Sequence, residues 1–176
     1  MKKVKVATIW LDGCSGCHMS LLDGDAAMIA LAGKIDLVYG PLVDAQEFPD
    51  GVDVTLVEGA ISSVEDAHRI EIVRQRTNIL IALGDCAVTG NVSSMRNPVP
   101  VNKLLQRVYV DGADASRQIP TDGVPALMAQ ARPIQEFVEV DIHVPGCPPP
   151  AKVILGVVND LLEGRKPTTN PKVKFG

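Results

Sequence analysis

Four cysteines are the residues of this 176-residue chain whose type and spacing most directly indicate chemistry. Cys14 and Cys17 form a C-x-x-C motif that follows an apolar stretch and precedes a helical one. Cys86 and Cys147 stand alone, and each also follows a strand-like run. Thiolates bind zinc and iron-sulfur clusters, so the pattern predicts one shared site if the fold brings the strand ends together. The helix start beside the C-x-x-C is expected to favour thiolates there.

The spacing alone leaves several kinds of thiol site open. Zinc sites more often pair two C-x-x-C motifs, whereas here the second pair is split between distant positions. A thioredoxin-like dithiol would leave Cys86 and Cys147 unexplained, and unrelated buried cysteines would share no ligand. Glycines near the cysteines would let backbone N–H groups approach cluster sulfurs, namely Gly13, Gly16, Gly84 and Gly146. The pattern therefore favours an iron-sulfur cluster, followed by zinc and then by a dithiol.

Strand-like and helix-like stretches alternate along the chain, which predicts an α/β fold. Strands are predicted at residues 4–11, 35–39, 52–57, 78–84 and 138–144, and helices at residues 20–32, 62–76 and 151–163. Ser20 and Asp23 are candidate caps of the first helix, and Ser62 and Glu65 have the spacing of a capping box. The last predicted strand alternates strictly between apolar and polar residues, as an edge strand does.

Right-handed crossovers between these strands predict a flavodoxin-like, doubly wound parallel sheet with the strand order 2-1-3-4-5, in a single domain of residues 1–176. In that order, the carboxyl ends of strands 1, 3, 4 and 5 lie side by side. They are followed by the C-x-x-C, Glu58, Cys86 and Cys147, respectively. The predicted topology therefore brings the four thiols to one edge of the sheet.

Composition argues against several classes of protein. A hydrophobic content of 46% suits one sizeable core, and a net charge of -4 gives no reason to expect nucleic acid as a partner. Four cysteines are too few for a disulfide scaffold, which indicates a reducing, cytoplasmic setting. The basic start precedes only a brief apolar run, and no apolar run of about 18 residues occurs, so we expect neither a signal peptide nor a membrane span.

Residues 87–132 interrupt the regular alternation with scattered prolines and patchy periodicity. Short helices are predicted around residues 102–108 and 125–131. Long irregular segments in compact domains are usually functional, so we expect this insertion to form a surface for a partner protein, with a flexible loop as the alternative. The polar, basic tail from residue 165 onward is expected to lie in solvent or on a partner.

Taken together, the motifs resemble the small subunit of nickel-iron hydrogenases. The matching stretches occur in chain order as L-x-G-C-S-G-C at residues 11–17, V-E-G-A-I at 57–61, G-D-C-A at 84–87 and P-G-C-P-P at 145–149. The resemblance implies that the four cysteines bind one proximal [4Fe-4S] cluster. That cluster would relay electrons between a nickel-iron centre in a large-subunit partner and further carriers.

In length, the chain is similar to the small subunit of the cytoplasmic, NAD-reducing (bidirectional) type. This implies a complex that converts H2 and NAD+ to NADH and H+, with flavin and iron-sulfur subunits as further partners, in which this chain alone is not catalytic. Many members carry Glu immediately before the first cysteine, where this chain has Gly13, so an acid-base role of that Glu does not carry over. Related quinone-reductase subunits usually have adjacent cysteines, so the C-x-x-C favours hydrogenase.

Other residues near the motifs are weaker candidates. Two interpretations of Glu58 are open. It has a role in proton transfer or hydrogen bonding, or it is a solvated loop carboxylate. His18 is either a hydrogen-bond donor to a sulfur or a histidine at the surface or at an interface. His68 is expected to be exposed, and Trp10 and Met19 are expected to pack in the core or at an interface.

A second cofactor and a second function stay open at this stage. Flavodoxin-like sheets bind FMN beside strand 1, but the first loop here carries cysteines in place of a hydroxyl-rich phosphate cradle. The alternative function is an interaction module that four cysteines stabilise by binding zinc, without a redox role.

Overall fold

A parallel sheet of five strands forms the centre of the molecule in the computed structural model, which describes residues 3–167. Its strands are ordered β2 (Ile35–Tyr39), β1 (Val4–Trp10), β3 (Val52–Glu58), β5 (Thr77–Leu83) and β7 (Ile142–Val144). A second, two-stranded sheet pairs β4 (Ile61–Ser63) with β6 (Leu127–Arg132). Numbered within the central sheet alone, this is the order 2-1-3-4-5. The predicted flavodoxin-like α/β fold is therefore confirmed.

The strands are β1 (Val4–Trp10), β2 (Ile35–Tyr39), β3 (Val52–Glu58), β4 (Ile61–Ser63), β5 (Thr77–Leu83), β6 (Leu127–Arg132) and β7 (Ile142–Val144). The α-helices are α1 (Gly16–Leu22), α2 (Ala26–Ala32), α3 (Val64–Arg76), α4 (Asp85–Thr89), α5 (Asn91–Ser94), α6 (Val101–Gln106) and α7 (Ala151–Leu162). A π-helical turn, Arg107–Asp111, continues α6, and a 3-10 turn, Ile134–Glu136, follows β6.

The two faces of the sheet bury separate cores because alternate residues of a strand point to opposite sides. Along β1, Ala7 and Ile9 belong to one core with Ile70 and Val73 of α3. Val6 belongs to the other core, with Leu21 of α1 and residues of α7 such as Ile154 and Leu155. Burial on both faces explains why the central strands read as continuous apolar runs.

Strand register places the ends of four strands in one row. Trp10 pairs with Glu58, Glu58 pairs with Leu83, and Leu83 pairs with Val144. The segments carrying the cysteines leave the sheet just after this row. Sheet register therefore determines where the thiols enter the site.

The first helix differs from its prediction at residues 20–32. Helix α1 begins earlier, at Gly16, and ends at Leu22, and α2 begins only at Ala26. Ser20 does not cap a helix, since it lies buried within α1 and donates a hydrogen bond to the carbonyl of Pro149 at 2.6 Å. The chain bends near Gly24, where a Cβ would lie 2.6 Å from Leu155 of α7. The break between α1 and α2, which the apolar periodicity of the sequence did not predict, therefore lies where the chain packs closely on α7.

The capping box of α3 lies one residue later than predicted. The Ser63 side chain accepts the N–H of Asp66 at 3.1 Å, and Asp66 accepts the N–H of Ser63 at 2.9 Å. Ser62 belongs to β4, so it and Glu65 do not form the box.

The insertion is more regular than its sequence indicates. The predicted helix around residues 102–108 is confirmed by α6 and its π-helical turn, but the one around residues 125–131 is wrong because those residues mostly form β6. Strand β6 pairs antiparallel with β4. The Asn97 side chain accepts the N–H of Ala131 at 2.8 Å and donates to its carbonyl at 2.9 Å. Tertiary pairing therefore overrides the weak local pattern.

The last strand is an edge strand, as predicted, but β7 is shorter than residues 138–144. Just before it, the Asp141 side chain accepts the N–H of Leu80 at 2.7 Å and so takes the place of a backbone partner. No helix within residues 3–167 is long and apolar enough to cross a bilayer. Most of the predicted basic tail, residues 168–176, lies outside the described residues.

Candidate metal centre

The segments carrying Cys86 and Cys147 are joined by hydrogen bonds. Gly84 N–H donates to the carbonyl of Val144 at 2.8 Å, and Asp85 N–H donates to the carbonyl of Gly146 at 2.9 Å. The buried Asp85 carboxylate accepts the N–H of Gly146 at 2.7 Å. These bonds hold the two cysteine segments side by side at the end of the sheet. The sequence did not single out Asp85 for this role.

Cys17 joins the same neighbourhood from the first turn of α1. A Cβ built on Gly84 would lie only 2.3 Å from the Cys17 sulfur, so any other residue at this position would displace the thiol. Gly84 also has a φ of 83° and a ψ of 162°, a conformation open almost only to glycine. The Ser20 bond to Pro149 ties α1 to the segment that follows Cys147. All three cysteine-bearing regions are thus packed against one another.

The surroundings of Cys17 hold the pKa of its thiol above the usual value. Burial raises the pKa of Cys17, and the negative charges of Glu58 and of the other three cysteines raise it further. This corrects the expectation that the helix start favours a thiolate, because desolvation and like charges act in the opposite direction. A bound cationic group would reverse this, since metal coordination deprotonates a thiol outright.

The thiols differ in exposure. All four are free, with Cys17 buried, Cys86 half-buried, and Cys14 and Cys147 exposed. Among residues 3–167, no three His, Cys, Asp or Glu side chains converge closely enough to hold one metal ion. The site is therefore open on the side of Cys14 and Cys147.

Helix α5 supplies hydrogen-bond donors to two of the thiols. The side-chain amide of Asn91 donates to the Cys147 sulfur at 3.4 Å. Burial raises the pKa of Cys86, while hydrogen bonds from the backbone of Val92 and Ser93 act to lower it. Sequence reasoning missed these donors; the Gly90-Asn91 pair signals a turn, but its position beside the cysteines depends on the fold.

The glycines singled out from the sequence lie close to the site but not all for the same reason. A Cβ at Gly16 would lie 3.2 Å from the Cys14 sulfur, whereas one at Gly13 would lie 3.2 Å from the Cα of Gly59. Gly146 has a φ of 136°, and a Cβ there would clash with Pro149. Sterics thus account for glycine at these positions, and backbone contact with a cluster stays a prediction.

The buried Glu58 and the half-buried His18 form a pair beside Cys17. Glu58 is 1% exposed, so the interpretation as a solvated loop carboxylate is wrong. Its Oε2 accepts the backbone N–H of His18 at 2.9 Å and lies 2.5 Å from the His18 Nδ1. Within residues 3–167, the other ring nitrogen, Nε2, is buried and has no hydrogen-bond partner. Neither ring nitrogen of the half-buried His18 therefore donates to a sulfur in this arrangement, and a place at an interface stays a prediction.

Trp10 and Met19 lie at the surface beside the site. Their exposed fractions are 45% and 62%, which excludes core packing and agrees with an interface. Trp10 Nε1 donates to the carbonyl of Gly13 at 3.1 Å and so braces the loop before Cys14. Both residues border an apolar cavity of about 300 Å³ between the sheet and α1 and α2. His68 is exposed, as expected.

An iron-sulfur cluster fits this set of residues. Four thiols provide the ligands that such a cluster takes. Gly84 leaves no room for a Cβ beside one thiol, and α5 directs N–H donors to two others. Donors of this kind surround and tune cluster sulfurs.

The chain is similar to several known proteins. Residues 14–161 match the protein family described as NADH ubiquinone oxidoreductase, 20 Kd subunit. One subunit of the F420-non-reducing hydrogenase vhu of Methanocaldococcus jannaschii is 39% identical over 172 residues, which cover 97% of this chain and 60% of that protein. The delta subunit of the NAD-reducing hydrogenase HoxS of Cupriavidus necator is 38% identical over 168 residues, which cover 93% of this chain and 80% of the relative. The chain thus spans only about 60% of the F420-non-reducing relative.

Solved structures extend the similarity to the whole fold. A chain in the crystal structure of an NAD+-reducing [NiFe]-hydrogenase in the H2-reduced state superposes with a TM-score of 0.94 at 35% identity, covering 99% of this chain and all of that one (100%). A chain of the [NiFeSe]-hydrogenase of Dm. baculatum has a TM-score of 0.61 at 19% identity, covers 93% and 63% of the two chains, and supports the fold alone. The resemblance to hydrogenase small subunits that the motifs indicated is confirmed.

Proposed function

This chain belongs to the family of the NADH ubiquinone oxidoreductase 20 Kd subunit, and from that premise we propose that it is the electron-transfer small subunit of a nickel-iron hydrogenase. Its role would be to hold one [4Fe-4S] cluster between a nickel-iron centre in a large-subunit partner and an NAD-linked flavin and iron-sulfur module. The setting would be cytoplasmic, and the chain alone would not be catalytic.

The observation that carries the proposal is the packing of the cysteine-bearing segments against one another at one end of the sheet. A Cβ on Gly84 would lie only 2.3 Å from the Cys17 sulfur. Asp85 N–H donates to the carbonyl of Gly146, next to Cys147. These segments follow three different strands. A fold that brings its only four cysteines to one place supports a shared ligand rather than four independent roles. When bound, the cluster would supply one-electron redox chemistry.

The sequence spacing of the cysteines favours a cluster over the alternative, an interaction module stabilised by a zinc ion that four cysteines hold. Zinc sites more often pair two C-x-x-C motifs, whereas here the second pair is split between Cys86 and Cys147. The hydrogen-bond donors that α5 directs to Cys147 and Cys86 are also of the kind that surrounds cluster sulfurs. Cys14, Cys17, Cys86 and Cys147 would hold the cluster, with Glu58 and His18 beside Cys17.

NAD is the proposed final acceptor because the structure with a TM-score of 0.94 is that of an NAD+-reducing hydrogenase. The nickel-iron centre is assigned to a partner, since all four cysteines here are used by the cluster. The first loop does not favour FMN, because its positions carry Cys14 and Cys17 in place of phosphate-binding hydroxyls.

Anaerobic purification of the complex tests the proposal. Iron and acid-labile sulfide in about a four-to-four ratio per small subunit, beyond those of the partner subunits, would support it. The excess should be lost or altered in each of the four Cys→Ala variants. A zinc ion bound in place of that iron, or a Cys147→Ala variant with unchanged iron and spectrum, would refute the shared cluster.

A further inference from the structure

We propose that Asn91 sets the reduction potential of the cluster through a hydrogen bond from its side-chain amide to the Cys147 sulfur. This inference rests on the proposed cluster site and adds a tuning residue to it. The distance from Asn91 Nδ2 to Cys147 Sγ is 3.4 Å, within the usual range for a nitrogen donor and a sulfur acceptor. Asn91 does not ligate, so its effect would act through the thiolate.

The chemistry of the two groups fixes the direction of the bond. A ligating thiolate has no proton and can only accept, while the amide of Asn offers two N–H donors. A donor held against a thiolate stabilises the more negative, reduced state more than the oxidised state. Asn91 is therefore expected to raise the reduction potential.

The turn that carries Asn91 is fixed at several points. The Ser93 hydroxyl donates to the carbonyl of Asp12 at 2.7 Å, just before the C-x-x-C. The Ser94 hydroxyl donates to the carbonyl of Asn91 at 2.8 Å, and Gly90 N–H donates to the carbonyl of Cys86 at 3.0 Å. These bonds tie α5 to two cysteine segments, so the amide is held near sulfur by the fold.

The backbone of Asn91 also suits this position. Its φ of 29° lies on the positive side, where Asn and Asp are tolerated better than other side chains. The neighbouring residues Val92 and Ser93 direct backbone N–H groups to Cys86. One short turn thus donates hydrogen bonds to two thiols. The bond from Asn91 comes from its side chain, so a substitution can remove it.

The test compares Asn91→Asp with wild type in the assembled complex. Asp keeps the size and the backbone preference of Asn, but an ionised carboxylate cannot donate and repels the thiolate. The small-subunit cluster signal, assigned as the one that Cys17→Ala removes or alters, is followed by electron paramagnetic resonance during a redox titration. We expect its midpoint to fall by about 59 mV, a tenfold change for a one-electron couple.

Two further variants separate tuning from structure. Asn91→Gly tolerates the backbone angle and removes the donor without adding charge, so a smaller fall in midpoint is expected. Asn97→Asp is the matched control, because Asn97 lies in the same insertion and donates to the carbonyl of Ala131 instead of a sulfur. It should leave the midpoint unchanged.

The outcomes distinguish this inference from the function on which it rests. Unchanged midpoints in both Asn91 variants, with wild-type iron content, would overturn the tuning role while leaving the cluster in place. A midpoint that falls equally in Asn97→Asp would overturn it as well. Absence of any small-subunit cluster from the wild-type complex would instead refute the proposed function.

Discussion

Glu58 accepts the backbone N–H of His18, one residue beyond Cys17, while the same carboxylate oxygen lies 2.5 Å from the His18 ring nitrogen Nδ1. A residue at the end of β3 is thereby joined to the first turn of α1. Because Glu58 is buried, this pair fixes the start of the helix that carries Cys17. It also places a carboxylate and an imidazole beside the proposed cluster.

The first prediction concerns the charge of this pair. Glu58→Gln keeps an acceptor for the His18 N–H but cannot exchange a proton, so cluster content should persist while hydrogen-dependent turnover falls at least about tenfold. Iron content and turnover of the purified complex provide the measurement. Glu65→Gln, at an exposed position of α3, is the control and should match wild type. Wild-type turnover in Glu58→Gln would leave the carboxylate with a structural role alone.

A second prediction tests the close contact between Gly84 and Cys17. Gly84→Ala would place a Cβ 2.3 Å from the Cys17 sulfur, so we expect loss of the cluster or of the folded chain. Gly123→Ala is the matched control, since Gly123 also has a positive φ, of 69°, but a Cβ there meets nothing within 4 Å. It should cost about 1–2 kcal/mol of stability and retain the cluster. Normal cluster loading in Gly84→Ala would show that the contact is not needed.

Acid stability provides a third prediction. Burial acts to raise the pKa of Asp141, but the hydrogen bonds from Leu80 and Arg74 outweigh it and hold that pKa below its usual value. The stabilisation is therefore complete above the unfolded pKa of about 4 and is lost as the pH falls through the folded pKa. Asp141→Asn should lower the free energy of unfolding by about 1 kcal/mol at pH 7, because the side chain is 38% exposed and partly screened.

Denaturant unfolding at several pH values measures this effect. The difference in stability between wild type and Asp141→Asn should begin to shrink below about pH 4, where the unfolded chain takes up the proton, and should vanish below the lowered pKa of the folded protein. Asp122→Asn, at an exposed position in the insertion, is the control. A difference that stays constant from pH 7 to pH 2 would contradict the assigned ion pair.

The insertion leads to a fourth prediction. Met95 and Val108 are 76% and 60% exposed, which suits the proposed partner surface of residues 87–132. Met95→Gln and Val108→Gln should each weaken association with the large subunit, as measured by its recovery on a tagged small subunit. Ile29→Gln changes a similarly exposed apolar residue of α2, outside the insertion, and should not. Equal recovery in all variants would exclude these residues from the interface.

The sequence predicted the sheet and the gathering of the thiols because both follow from short-range patterns. Apolar runs such as residues 78–84 mark buried parallel strands, and the right-handed crossover rule then restricts their order. The break in the first helix and the strand β6 could not be predicted in this way. They depend on packing of Gly24 against Leu155 and on pairing of β6 with β4, which are long-range contacts.

The same distinction applies within the site. The cysteines and Glu58 could be placed because the cysteines follow strands of the central sheet and Glu58 ends one. The donors Asn91, Val92 and Ser93 could not, because their approach to Cys86 and Cys147 depends on how a short turn folds back. The burial of His18 against Glu58 likewise depends on the relation between α1 and β3.

The most direct test of the central claim is to remove Cys17 and measure two reactions in the assembled complex. If electrons from hydrogen must cross the cluster held by this chain, Cys17→Ala should abolish hydrogen-driven NAD reduction. NADH oxidation by an artificial acceptor should survive, because that half-reaction needs only the NAD-linked module, and gel filtration should show every subunit still bound. Wild-type hydrogen-driven NAD reduction in an assembled variant that lacks the small-subunit cluster would contradict the electron-transfer role.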